Sequence, residues 1–110
     1  MIIARIRLTA REDKHHELLQ TAESLCPMIA REKGCLNCQV YQSTSNPLEI
    51  VISEEWDSEE ATKRHLDSDS LTVMAGAGSI LSSRVEIFTG NNQPMQAMQK
   101  RLEKKLKKKS

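Results

Sequence analysis

Glu54 and Trp56 stand two residues apart in the run 48–56. Its side chains alternate between Ile50, Ile52, Glu54 and Trp56 on one face and Glu49, Val51, Ser53 and Glu55 on the other. An acid on an otherwise apolar strand face must be paired or protonated, and desolvation raises its pKa. Such a carboxyl serves as a general acid or base, or as a structural hydrogen-bonding group near a strand end. His65 lies four residues beyond Ala61, so the two share one face of a helix. An imidazole, with an ordinary pKa of about 6.5, suits proton abstraction. Paired, Glu54 would orient the imidazole and His65 would move the proton; a core histidine bonded to Glu54 or to backbone is the structural alternative. Trp56, the single tryptophan, either walls a pocket for a flat substrate or fills core. His15 lies on the Leu18/Ala22 stripe, within reach of a pocket mouth; a solvated or capping role is its commoner use.

Cys35 and Cys38 have C-x-x-C spacing. In a regular strand, residues three apart point to opposite faces, which speaks against shared metal ligation or a redox dithiol. No second cysteine pair completes a zinc site, so no metal is expected. The sequence contains no phosphate-binding P-loop, no dinucleotide glycine pattern and no G-x-S-x-G elbow. Three cysteines, an odd number, exclude a complete disulfide framework and favour reduced thiols.

These residues need a scaffold, and 110 residues suffice for one core. Ile2, Ala4, Ile6 and Leu8 alternate with Ile3, Arg5, Arg7 and Thr9, which predicts a strand. T-A-R-E at 9–12 reads as a capping box opening a helix. Leu18, Ala22, Leu25 and Ile29 form its apolar stripe. Pro27 predicts a kink or early end, and Gly34 marks the exit. Residues 35–43 predict a second strand with Leu36, Cys38 and Val40 on one face, and Ser45-Asn46-Pro47 a turn. Residues 48–56 are the third strand. A cap with acids at 57–60 opens a short helix through Leu66. A second helical piece covers 70–75 and exits at Gly76-Ala-Gly78. Residues 80–89 give a fourth strand with Leu81, Val85 and Ile87 apolar. The expected fold is α+β: a ferredoxin-like β-α-β-β-α-β sandwich with a four-stranded antiparallel sheet, the first strand between the third and fourth.

Charge divides the chain. Residues 91–110 carry seven Lys/Arg and one Glu, whereas residues 1–90 carry nine against fourteen acids. A domain over 1–90 and a basic extension over 91–110 follow. Met95, Met98, Leu102 and Leu106 give the extension a narrow helical stripe, which predicts a C-terminal amphipathic helix docked on its own domain or on a partner subunit. No basic surface runs through the body, which disfavours nucleic acid as a partner. No apolar run approaches the roughly 18–20 residues of a membrane span. The N-terminus has arginines inside its apolar stretch and does not read as a signal peptide. A cytoplasmic protein without membrane partners is the expectation.

Two segments, G-C-L-N-C-Q-V-Y at 34–41 and I-S-E-E-W-D-S-E-E-A-T-K-R-H-L at 52–66, together resemble the antibiotic biosynthesis monooxygenase (ABM) family and its small quinol monooxygenases. The matching positions are Gly34-Cys35, Glu54, Trp56, Ser58, Glu60-Ala61 and His65-Leu66, and the likeness spans roughly residues 1–90. It implies a homodimeric α+β barrel formed by two facing sheets, with a pocket in each subunit between sheet and helices. Glu54 and Trp56 would lie on the pocket face beside Ile52. The haem-degrading relatives use an Asn, a Trp and a His where this chain has Ile6, His65 and Ala75, so no axial ligand and no haem are expected.

The expected function is cofactor-free oxygenation of a quinol-like or enolisable small molecule, with O2 as co-substrate. His65 and Glu54 are the candidate catalytic residues; Trp56, Ile52 and His15 are the candidate substrate contacts. Isomerisation through an enol on the same acid–base pair, and a non-enzymatic ligand-binding or interaction dimer, are the alternatives.

Overall fold

The computed structural model describes residues 1–89 and Lys104. The expected C-terminal helix lies outside the described residues. Seven elements follow in order: β1 (Ile2–Ala10), α1 (His15–Ala30), β2 (Cys35–Gln42), β3 (Glu49–Trp56), α2 (Glu59–Leu66), α3 (Asp69–Leu81) and β4 (Ser82–Thr89). The four strands form one antiparallel sheet in the order β2-β3-β1-β4. The first strand therefore lies between the third and fourth, as expected for the ferredoxin-like topology.

Alternation sets which sheet face is dry. Ala4, Ile6, Leu8 and Ala10 of β1 are buried, as are Ile50, Ile52, Glu54 and Trp56 of β3. Register turns these sets into rows across the sheet. Val40 pairs with Ile52, Ile52 with Ile6, and Ile6 with Ile87. Leu18, Ala22, Leu25 and Ile29 of α1 and Leu71, Met74, Ala75 and Gly78 of α3 are buried with them. Apolar area removed from water is the main stabilising contribution of this layer.

Four local expectations differ from the fold. The T-A-R-E box does not cap α1: β1 continues to Ala10, and the helix opens after Lys14 without a side-chain cap. Strand pairing to β3 and β4 holds Thr9 extended, so its hydroxyl is not at a helix start. Pro27 does not end α1, which continues to Ala30. Its missing N–H leaves the Glu23 carbonyl without a helical partner on an exposed side, where water can bind it. The third helix does not exit at Gly76-Ala-Gly78 but continues to Leu81. Gly78 is buried with Leu71, Met74 and Ala75, and burial of that helix face outweighs glycine's poor helix propensity. The strand expected from residue 80 accordingly starts at Ser82.

The last difference is in β2. A register shift between Cys35 and Asn37 places Cys35 opposite Trp56 and Cys38 opposite Glu54. Both partners lie on the core side of β3, so both cysteines reach the same side of the sheet. Leu36, expected on that side, is exposed instead. A bulge adds one residue to one strand and so breaks the simple parity of side chains.

The exit from α1 depends on Gly34, whose φ is +89°. A β-carbon there would collide with Ala61 and come within 2.8 Å of the Asp57 carboxylate. The Asp57 amide also donates to the Gly34 carbonyl at 2.8 Å. We expect Gly34→Ala to destabilise the fold by at least about 1–3 kcal/mol, the usual cost of a residue forced into that backbone region. Urea unfolding measures it; a change within a few tenths of a kcal/mol would contradict this account of the turn.

Candidate active site

Three segments converge below one end of the sheet: the turn after α1, the end of β3 and the last turn of α2. Each supplies one ionisable side chain. Glu32 sits in the turn, two residues before Gly34. Glu54 points from β3 toward the helices, with Ala4 as its neighbour on β1; that methyl side chain leaves room for a carboxylate. His65 projects from the buried face of α2, the face it shares with Ala61. Ser58 caps this helix by accepting from the Ala61 amide at 3.1 Å, which fixes the helix start and hence the direction of His65.

The imidazole lies between the two acids. Its Nδ1 is 2.9 and 3.1 Å from the Glu32 carboxylate oxygens. Its Nε2 is 3.3 Å from Glu54 Oε2. That second contact is close but lacks the alignment of a hydrogen bond. The Trp56 indole N–H donates to Glu54 Oε1 at 3.0 Å, and the indole lies against the imidazole at 4.7 Å between ring centroids. Ser70 donates to Glu32 Oε2 at 2.6 Å. Ser68 donates to the His65 carbonyl at 2.6 Å, while its Oγ lies 3.3 Å from Nδ1. The side chains of His65 and Glu54 are 0% exposed, and that of Glu32 is 22% exposed. The cluster therefore reaches solvent along its Glu32 side.

Burial is the largest single influence on His65 and opposes its protonation. The close Glu54 carboxylate, and then Glu32, outweigh it, so the imidazole's pKa is raised above its ordinary value. The face of the indole also favours a positive ring. A group whose pKa is raised on folding contributes stability below its unfolded pKa, here about 6.5, and loses that contribution as pH rises through the folded value.

Of the residues singled out from sequence, Glu54, Trp56 and His65 come together here. Ile52 is fully buried two residues before Glu54 on the same strand face. His15 is not brought to the cluster. It starts α1, whereas Glu32 follows the helix end; sixteen residues separate those ends by about 24 Å. His15 is half-buried there with its ring edge against His16. Glu32 escaped sequence reading because it sits in an aperiodic turn. The available signal was indirect: a buried imidazole has two ring nitrogens and needs a partner for each.

Among the described residues no group of three His, Cys, Asp or Glu is arranged to hold a metal ion. Among them, too, no helix is long and apolar enough to cross a membrane.

A four-stranded antiparallel sheet with helices on one face, and an acid, an indole and an imidazole gathered beneath them, defines a ferredoxin-like α+β protein with a buried acid–base cluster. Residues 1–76 match the antibiotic biosynthesis monooxygenase family, to which this chain belongs. It is similar to a candidate antibiotic biosynthesis monooxygenase from Deinococcus radiodurans, at 27% identity and a TM-score of 0.76, over 81% of this chain and 89% of that one. It is likewise similar to a conserved protein from Methanosarcina mazei, at 26% identity and a TM-score of 0.74, over 80% and 88%. A Mycobacterium tuberculosis protein at 21% identity shares the fold, with a TM-score of 0.74 over 80% and 90%. No curated protein matches the sequence.

Glu54→Gln should lower the His65 pKa, because it removes the charge that most opposes desolvation. Glu32→Gln should lower it less. Histidine NMR titration of the three proteins reads both shifts; an unchanged His65 pKa in the Glu54 variant would contradict the pairing. In the parent protein, thermal stability should decline as pH rises from about 6.5 through the raised His65 value, following the linkage relation.

Proposed function

We propose that this chain is a cofactor-free oxygenase acting on a quinol-like or enolisable small molecule, with His65 as base and Glu54 and Glu32 as its orienting acids. The observation that supports it is the raised basicity of an imidazole held between two carboxylates under the only tryptophan of an ABM-family fold. In such chemistry the substrate supplies the electrons. His65 takes a hydroxyl or α-carbon proton, and the anion reduces O2. One oxygen atom enters the substrate at carbon, and the other leaves as water with two hydrogens that the substrate gives up, both from carbon at an enolisable CH2 or from the hydroxyl groups of a quinol. A stronger base eases the first step, but it must first be unprotonated, so the rate rises with pH through the His65 titration. Trp56 and Ile52 would wall the substrate on the strand side.

The proposal includes a homodimer formed through the open face of the sheet. That face carries Arg5, Arg7, Val51 and Phe88 around a groove of about 360 Å³. Arg7 pairs with Glu86 at 3.0 Å and lies 4.8 Å over the Phe88 ring. A sheet covered by helices on one side only has this second face available for a copy of itself.

One observation favours a second reading. Trp56, Glu54 and His65 are all at most 1% exposed. In that reading the cluster is a staple joining the α1 exit, β3 and α2 within a ligand-binding or interaction dimer.

Oxygen uptake with a two-ring hydroquinone separates the readings. The oxygenase should exceed buffer autoxidation, and His65→Gln should lose at least about 100-fold, the usual contribution of a positioned base. Circular dichroism and light scattering must show the variant folded and of unchanged mass. Uptake no faster than buffer, or full activity in a folded His65→Gln protein, would leave the staple. Turnover of an enolisable substrate without O2 would point to isomerisation.

A further inference from the structure

The cysteines take no part in the acid–base cluster, yet two of them meet. Cys26 lies on α1 one residue after buried Leu25, on the side that faces β2. The register shift in β2 turns Cys38 to that same side. Their sulfur atoms are 3.1 Å apart and share a hydrogen bond. Both side chains are half-buried and line an open groove of about 330 Å³ with Glu23, Pro27, Ala30 and Val40. The third cysteine, Cys35, is engaged elsewhere, with its sulfur 3.5 Å from the Asn37 carbonyl. All three are free thiols.

We infer that Cys26 and Cys38 form a reversible two-thiol oxidation site, closed to a disulfide between α1 and β2 by a peroxide. The two sulfurs come from different elements, and their 3.1 Å spacing is about one ångström longer than a disulfide bond. The groove gives a small oxidant access to both. Burial is the main cause that raises the Cys38 thiol above its ordinary range, and its bond to Cys26 raises it further. In this site Cys26 takes the first attack and Cys38 closes the bond.

The Cys26 sulfur attacks one peroxide oxygen. An S–O bond forms, the O–O bond breaks, and the departing hydroxide leaves as water with the proton given up by Cys26. The Cys38 sulfur then attacks the Cys26 sulfenic sulfur. An S–S bond forms, the S–O bond breaks, and the hydroxyl leaves as water with the Cys38 proton. The two thiols lose two electrons and the peroxide gains them. A dithiol reductant reverses the bond.

The test uses the full reduced chain, hydrogen peroxide, and alkylation of remaining thiols followed by intact-mass measurement. The parent protein should pass from three alkylated cysteines to one, and Cys35→Ser from two to none. Dithiothreitol should restore the starting counts in both. Trypsin can cut at Arg31 and Lys33, between Cys26 and Cys38, so a cross-linked peptide pair marks the bond. Cys35 and Cys38 share one tryptic peptide, and the Cys35→Ser protein removes that ambiguity. Cys38→Ser should gain oxygen on Cys26 without an intramolecular link. Three alkylatable thiols after peroxide, a link through Cys35, or Cys26 oxidised beyond the sulfenic acid in the parent protein without a link would each overturn the inference.

Discussion

His65 is held out of water between two acids, and much of this molecule's local geometry follows from that. An isolated charge in a protein interior costs several kcal/mol, and a charge pair offsets this only with good geometry and with its remaining polar atoms satisfied. Glu54 Oε1 accepts from the Trp56 indole N–H and Glu32 Oε2 from the Ser70 hydroxyl, while Glu54 Oε2 and His65 Nε2 face each other at 3.3 Å with charge, not an aligned hydrogen bond, between them. The three ionisable groups come from segments far apart in the chain. Any movement of the α1 exit, of β3 or of α2 therefore leaves a buried polar group without its partner.

This explains why short-range features around the cluster are so tightly constrained. Gly34 has no β-carbon, so the turn lies directly on Ala61 of α2, and Glu32 is brought under His65. Ser58 and Ser68 cap the two helices that flank the imidazole, and Ser68 also binds the His65 carbonyl. Ala4 is small where Glu54 needs room, although its neighbours Ile6 and Leu8 on the same face are large. The Gly-Cys and Ser-x-Glu-Ala elements of the family pattern thus have a physical role here: they set the distance between the turn and the helix.

The sheet has two different environments. One face packs under α1 and α3 and holds the apolar rows through Ile6 and Ile52. The other carries Arg5, Arg7, Glu86 and Phe88 and is not covered by the described helices. Between them, at the β2 edge, the register shift turns Cys38 inward beside Glu54 and against Cys26. The same backbone irregularity therefore serves both the flank of the acid–base cluster and the meeting of the two thiols.

Strands with period-two alternation, the α1 stripe and the order of elements were legible from sequence, because burial on one face imposes those periods directly on the residues. So was the shared strand face of Glu54 and Trp56, and the shared helix face of Ala61 and His65. The capping box at 9–12, the end of α1 and the exit at Gly76-Ala-Gly78 were misread. Their local preferences are worth about a kcal/mol each, and strand pairing or helix packing outweighs them. Glu32 as a partner of His65, the remoteness of His15, and the approach of Cys26 to Cys38 were decided only by tertiary structure. Glu32 depends on a turn and Cys38 on a bulge, neither of which leaves a periodic trace along the chain, and His15 is remote because the helix it opens runs its full length before reaching the cluster.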